Sequence, residues 1–276
     1  MKLTLSLLLL TLAASAQQPR SLAKLRKPGS TSSAAKAAAG QLPQIITQTS
    51  DTAIPFITNG DGLRTRITLL NLEATAATYQ IVCVNSEGLG YPVPWADREP
   101  TNSVRGTIQP NSIVELTTTG TGGITTGWAL ASATGARVVF SAHNETATPD
   151  GGFSVATYYP GNANSKRQKI RFDNRDGYST NIVFNNINTA SAALTIIVRD
   201  AAGKEIGRLE APMDSANQYA MDMAEDFPAS AGILGSVEFS IPTASRSGVG
   251  VLGLRLNSSN GAIDLIDAFS TVAWSQ

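Results

Sequence analysis

The feature that most constrains this chain is that it repeats itself. Residues 59–88 lie over residues 174–203 at an offset of 115 with no gap, and nine of the 30 positions are identical. These are Asn59/Asn174, Asp61/Asp176, Gly62/Gly177, Thr65/Thr180, Ile67/Ile182, Asn71/Asn186, Ala77/Ala192, Ile81/Ile196 and Gly88/Gly203. The ends agree too, since Phe153-Ser154 with Tyr158 falls over Phe269-Ser270 with Trp274, one residue out of phase. Self-similarity of this length means one structural unit built twice. The expected organisation is a unit at 52–160, a linker at 161–168 and a second unit at 169–276.

Within each copy the hydrophobic period is two. Thr65, Ile67, Leu69 and Asn71 alternate with Arg64, Arg66, Thr68 and Leu70, while residues 79–85 and 194–200 are β-branched runs ending at turns. About seven short strands per copy, with a turn signal every 8–12 residues, predict an all-β chain of two tandem Ig-like antiparallel β-sandwich domains. A barrel is the alternative. The one helical candidate is a single turn at 222–227. Charged residues are only 15% of the chain and 24 glycines take up part of the difference, which suits tight turns and excludes a coiled coil. Lone Cys83 excludes a disulfide scaffold, and lone His143 excludes a histidine-rich metal site. Cys83 sits over Val198, so it reads as a buried small hydrophobe.

Phe56, Asn59-Gly-Asp-Gly62, Thr65-x-Ile67-x-Leu69-x-Asn71, Ile108-x-Pro110, Leu116-Thr-Thr-Thr-Gly-Thr-Gly122 and Gly127-Trp128-Ala129 together form a motif. It resembles an uncharacterised family of secreted bacterial Ig-like β-sandwich repeats of roughly 110 residues, often found in tandem behind a signal peptide. The resemblance covers both copies and implies their fold. It carries no activity and no site residues.

The N-terminus reads as an address. Met1-Lys2 is a short basic start, Leu3 to Ala13 are apolar, and Ala14-Ser15-Ala16 fits a cleavage site that leaves Gln17 first. The expected signal peptide is therefore 1–16, and its apolar run is too short to span a bilayer. Residues 17–51 read as a flexible basic linker carrying Arg20, Lys24, Arg26, Lys27 and Lys36. All 21 acids and 15 of the 21 bases lie at or beyond Asp51, which leaves that part at −6. A net acidic body without a basic stripe argues against nucleic acid as a partner.

Candidate sites are few. Tyr91 and Trp95 lie in a Pro-flanked insertion of the first copy, residues 88–105, and are the first choice for stacking on a sugar ring. The competing reading is a loop that caps the sandwich. Asn59, Asp61, Asp173 and Asp176 offer oxygen ligands on tight loops, so a calcium ion is possible. Counting Gly62 as the sixth position of an EF-hand loop puts Ile57 first and Thr68 twelfth, where carboxylates are needed, so an Asx-type turn is the stronger reading. Any hydrolytic triad must use His143, yet no Gly-x-Ser-x-Gly turn exists. The functional expectation is a secreted, non-enzymatic structural or adhesive protein of the cell surface or extracellular matrix, whose partner is a protein or a glycan. The alternatives are a pair of carbohydrate-binding modules and a secreted hydrolase.

Overall fold

The computed structural model of the chain describes residues 20–21, 51–148, 151–243, 248–257, 263–267 and 269–270. The expected signal peptide at 1–16, the expected linker at 17–51 apart from Arg20–Ser21 and Asp51, and Trp274 lie outside the described residues. Strands take up 63% of the described residues and helix 3%, so the all-β, sandwich-like class holds. In chain order the strands are β1 (Arg20–Ser21), β2 (Thr52–Gly60), β3 (Leu63–Asn71), β4 (Ala77–Asn85), β5 (Ser103–Ile108), β6 (Ile113–Thr117), β7 (Thr125–Thr134), β8 (Val138–Ala147), β9 (Phe153–Tyr158) and β10 (Gly161–Asn162). They continue as β11 (Arg167–Asp173), β12 (Tyr178–Asn186), β13 (Ala192–Asp200), β14 (Glu205–Met213), β15 (Gln218–Asp222), β16 (Leu234–Ser240), β17 (Val249–Asn257), β18 (Ile263–Asp267) and β19 (Phe269–Ser270). The helical turn α1 (Met223–Asp226) is capped by the Asp222 carboxylate, which accepts from the Ala224 and Glu225 amides.

In the first half, β5-β4-β7-β2 and β6-β3-β8-β9 are antiparallel layers joined through the β2–β3 corner. In the second half, β14-β13-β16-β11 and β15-β12-β17-β18 have the same order. In an immunoglobulin constant domain the first strand lies beside the second and the seventh beside the sixth. Here β2 lies beside β7 and β8 beside β3, so those two outer strands have exchanged layers, and β11 and β17 do likewise.

The identities between the halves are explained by the backbone they hold. Asp61-Gly62 closes the β2–β3 hairpin with φ of 50° and 80°, and Asp176-Gly177 repeats it at 54° and 78°. Thr65 Oγ1 accepts from the Thr58 amide and donates to its carbonyl; Thr180 does the same to Asp173. Asn71 Nδ2 donates to the Thr75 and Gln109 carbonyls, and Asn186 donates to those of Ala190 and Asp214. Each Asn Oδ1 accepts the amide two residues on. One side chain thus pins two connections at the end of each sandwich, where buried backbone groups need partners.

Two principal cores result. One gathers Ile67, Leu69, Ile81, Cys83, Ala129 and Tyr158 from the first half, and the other Ile182, Phe184, Ile196, Val198, Val237 and Phe239 from the second. Cys83 and Val198 are both fully buried, and burial pushes the Cys83 thiol far up. A third cluster lies between the halves: Ala53, Val82, Val84, Trp128 and Leu130 on the outside of β4-β7-β2 meet Ala163, Ile187 and Ala216. Trp128 Nε1 donates to the Ala216 carbonyl at 2.9 Å, while Gln218 Nε2 donates to the carbonyls of Pro55 (2.6 Å) and Gly127 (2.9 Å). Gly88 is part of the same seam, since a Cβ there would lie 2.6 Å from the Ser215 carbonyl. The connecting residues are built in, with Gly161 and Asn162 pairing to Ala53 and Thr52 and Ala163 buried. On the second half, the positions matching Val82, Val84, Trp128 and Leu130 are Ile197, Arg199, Ser236 and Glu238, with Glu238 paired to Arg167 and Arg199. Trp128→Ala is expected to destabilise the whole chain by about 3–5 kcal/mol in urea unfolding, the usual cost of emptying a buried indole site.

Candidate functional site

The two-residue period of β3 sends Thr65, Ile67, Leu69 and Asn71 inward and leaves Arg64, Arg66, Thr68 and Leu70 outward. Pairing fixes what stands beside them. Leu70 lies between Ile113 and Val139, Thr68 between Glu115 and Ser141, Arg66 between Thr117 and His143, and Arg64 beside Glu145. Glu145 in turn faces Val155, and Ala147 faces Phe153. Directly opposed residues share a face. The outside of β6-β3-β8-β9 is therefore one surface, with Ile113, Leu70 and Val139 at one end, Phe153 and Val155 at the other, and charge between. Ile113 is 60% exposed, Val155 52% and Phe153 40%.

Its electrostatic centre is Glu145. The carboxylate is fully buried and is gripped by Arg64 Nε on one oxygen and Arg66 Nη2 on the other. Arg66 also reaches Glu115 at 3.7 Å, and the Arg64 guanidinium lies 3.5 Å from the centre of the Phe153 ring. Two acids and two bases leave the face neutral. His143 stands beside them with Nδ1 at 2.8 Å from Thr157 Oγ1 and Nε2 at 3.3 Å from Ser141 Oγ. Partial burial, then the Arg66 charge, hold its pKa below the ordinary imidazole value against the opposing pull of Glu145 and Glu115. A Ser–His pair thus exists, but the partner of Nδ1 is a hydroxyl where a triad needs a carboxylate.

The residues singled out in the sequence lie elsewhere. Tyr91 and Trp95 are only 4% and 2% exposed, so neither ring is presented to a sugar, which corrects the expectation of a binding surface there. The insertion folds inward because its backbone is tied down. Val93 and Thr101 exchange two hydrogen bonds at 3.1 Å, the Ala96 amide donates to Thr117, and the Thr119 amide donates to Pro94. Tyr91 hydroxyl bonds Thr125 Oγ1, and burial pushes its pKa up to about 12. The second half has a tight turn in place of this insertion and brings Met223 and Phe227 into its core instead.

The four candidate calcium ligands do not converge. Asn59 is occupied with the loop after β6: its Oδ1 accepts from the Gly120 amide (2.8 Å) and Thr119 hydroxyl, and its Nδ2 donates to the Thr121 carbonyl. Asp61 and Asp176 are exposed turn residues. Asp173 accepts from Arg175 Nε at 2.8 Å and Arg255 Nη1 at 3.0 Å. Among the described residues no group of three or more His, Cys, Asp or Glu side chains is placed to hold a metal ion. A crevice lined by Pro55, Tyr158, Gln168 and Gly250 has a volume of ≈10 Å³, about the room one water needs.

The outer face was not singled out in the sequence, although its signal was there. Val139 and Ile113 occupy alternate positions whose neighbours Phe140 and Val114 already face the core. Glu145→Gln is expected to cost about 1–3 kcal/mol in urea unfolding, less than a wholly buried pair because both arginines reach solvent. The Arg175 hydrogen bond, aided by both arginine charges, holds Asp173 down to about 2 from an ordinary 3.8. Its stabilisation is present at neutral pH and is lost as pH falls from about 4 toward 2. The stability gap between the native chain and Asp173→Asn, measured by urea unfolding, is therefore expected to close over that interval.

No protein-family model matches the chain, and no curated protein does. Among solved structures it is similar to a protein of Parabacteroides distasonis held to be secreted, at 11% identity and a TM-score of 0.20, over 83% of this chain and 85% of that one.

Proposed function

We propose that this chain is an exported, non-enzymatic protein with a structural or adhesive role at the cell surface or in the extracellular matrix. We read it as two copies of one sandwich, of the kind the family resemblance implies. The observation that carries the reading is the neutral outer face of β6-β3-β8-β9, where Ile113, Val139, Phe153 and Val155 stand exposed. Exposed apolar patches rimmed by polar groups mark interaction sites, and two of them on one outer face suit a broad protein partner better than a small molecule. Export is supported by the basic, apolar and small-residue order of residues 1–16. Among the described residues no helix is long and apolar enough to cross a membrane. The glycan reading has lost its anchors with the burial of Tyr91 and Trp95. The hydrolase reading lacks a carboxylate partner for His143.

Full-length protein recovered from the medium is expected to begin at Gln17 on N-terminal sequencing, and to bind a cell-wall or matrix fraction equally with calcium or chelator. Phe153→Ser with Val155→Ser is expected to weaken that binding about tenfold or more while leaving the melting temperature nearly unchanged. Binding that ignores both substitutions would count against this face. Trp95→Ala is expected to cost about 3–5 kcal/mol of stability, with no selective loss of glycan binding.

A further inference from the structure

The end of the second half that docks onto the first has a counterpart on the first half, and that counterpart is open. At the junction the second half presents Asn185, Ile187, Ala216, Gln218 and Gly250, all buried there. The offset of 115 and the strand pairing match these, in order, to Leu70, Leu72, Asn111, Ile113 and Val139. The local backbone is the same at both places. Asn111 and Ala216 both take the left-handed conformation, with φ of 52° and 56°, and the Asn71 and Asn186 amides both donate at 3.0 Å to the residue that follows it, Ser112 or Asn217. Burial, however, is inverted against side-chain chemistry. The second half hides two amides and a glycine, whereas the first exposes Ile113 at 60%, Leu72 at 43% and Val139 at 38%. Burial ordinarily takes the aliphatic set and leaves the amides wet.

We infer that Ile113, Leu72, Leu70 and Val139 form a docking end for a β-sandwich of another protein, seated on the outer side of one of its sheets. The chain's own junction is the template for that occupant. There the matching end rests on a sheet exterior of small and apolar side chains, Ala53, Val82, Val84, Trp128 and Leu130. A second copy of this chain does not offer such a face, because its apolar exterior is covered by its own second half and the equivalent exterior there carries Arg199, Ser236 and Glu238. The partner's face is expected to lack free carbonyls at the contact, since the aliphatic end brings no donors like Gln218 Nε2. This deepens the adhesive reading above by naming a partner class, and it uses the opposite end of the face from Phe153 and Val155.

The test uses the full chain made in the cell that secretes it, with a photo-reactive residue at position 113 and, as control, at the exposed Glu210 on β14. The expected result is an adduct about tenfold above the control, with the cross-linked peptide mapping to an outward-facing strand residue of a sandwich protein. Leu72→Arg in the same chain is expected to remove it. Absence of an adduct above the control overturns the inference, as does an adduct that maps to a helix, to a glycan, or to residues 22–50 of the same chain. If the adduct fails while the Phe153 and Val155 substitutions still abolish matrix binding, the docking end is wrong and the adhesive reading stands. If both fail, the adhesive reading falls too.

Discussion

The indole of Trp128 lies outside both principal cores, flat against a seam between two stacks of sheets, and its single N–H is spent on the Ala216 carbonyl. That bond explains an otherwise awkward residue. Ala216 has a positive φ, a conformation that suits Gly or Asn and costs an alanine roughly 1–2 kcal/mol. The matching turn on the first half uses Asn111, exposed and at ease. Under Trp128 an asparagine would bring a polar group needing a partner where the neighbours are Val82, Val84 and Ile187. A small apolar residue in a strained turn is the cheaper arrangement. Gln218 completes the seam by supplying donors to two carbonyls of the opposite half, so the halves are held by directed polar bonds as well as by area.

The outer face of the first half obeys a different logic. Its buried carboxylate does not lie in a core; it is enclosed by the two arginines it neutralises, one of which leans on Phe153. Such a cluster fixes the positions of the long side chains on either side of β3 and so gives the surface a definite relief. Two aliphatic ends separated by a locked, neutral centre present geometry to a partner more than charge. Affinity at such a face would respond weakly to salt.

Much of this was legible in the sequence because it depends on local rules. The Asp-Gly pairs at 61–62 and 176–177 marked tight turns whose φ values only such residues accept readily. The acidic turn at 222–227 held its helix through the Asp222 cap. Cys83 was readable as a packing position because Val198 occupies the matching position 115 residues on, and both are fully buried. What failed was long-range. Nothing within residues 88–105 says that the insertion is laced to β6 and β7, so the sequence left a sugar-binding loop and a capping loop both open at Tyr91 and Trp95, and the burial of both rings fits the cap. Trp128 is buried, but sequence cannot say whether an apolar residue on a strand faces its own partner layer or a neighbouring stack of sheets. The exposed row at Ile113 and Val139 left an alternation in the sequence but was not singled out, because alternation shows that two faces differ and not which one meets water.

Arg199, Ser236 and Glu238 stand where the first half has Val84, Trp128 and Leu130. Equivalent units that fit head to tail would go on adding. Ion pairs across that exterior close the series after one addition. The molecule consequently has a direction. On the docking end proposed above, the chain can close a row of sandwiches but cannot continue one.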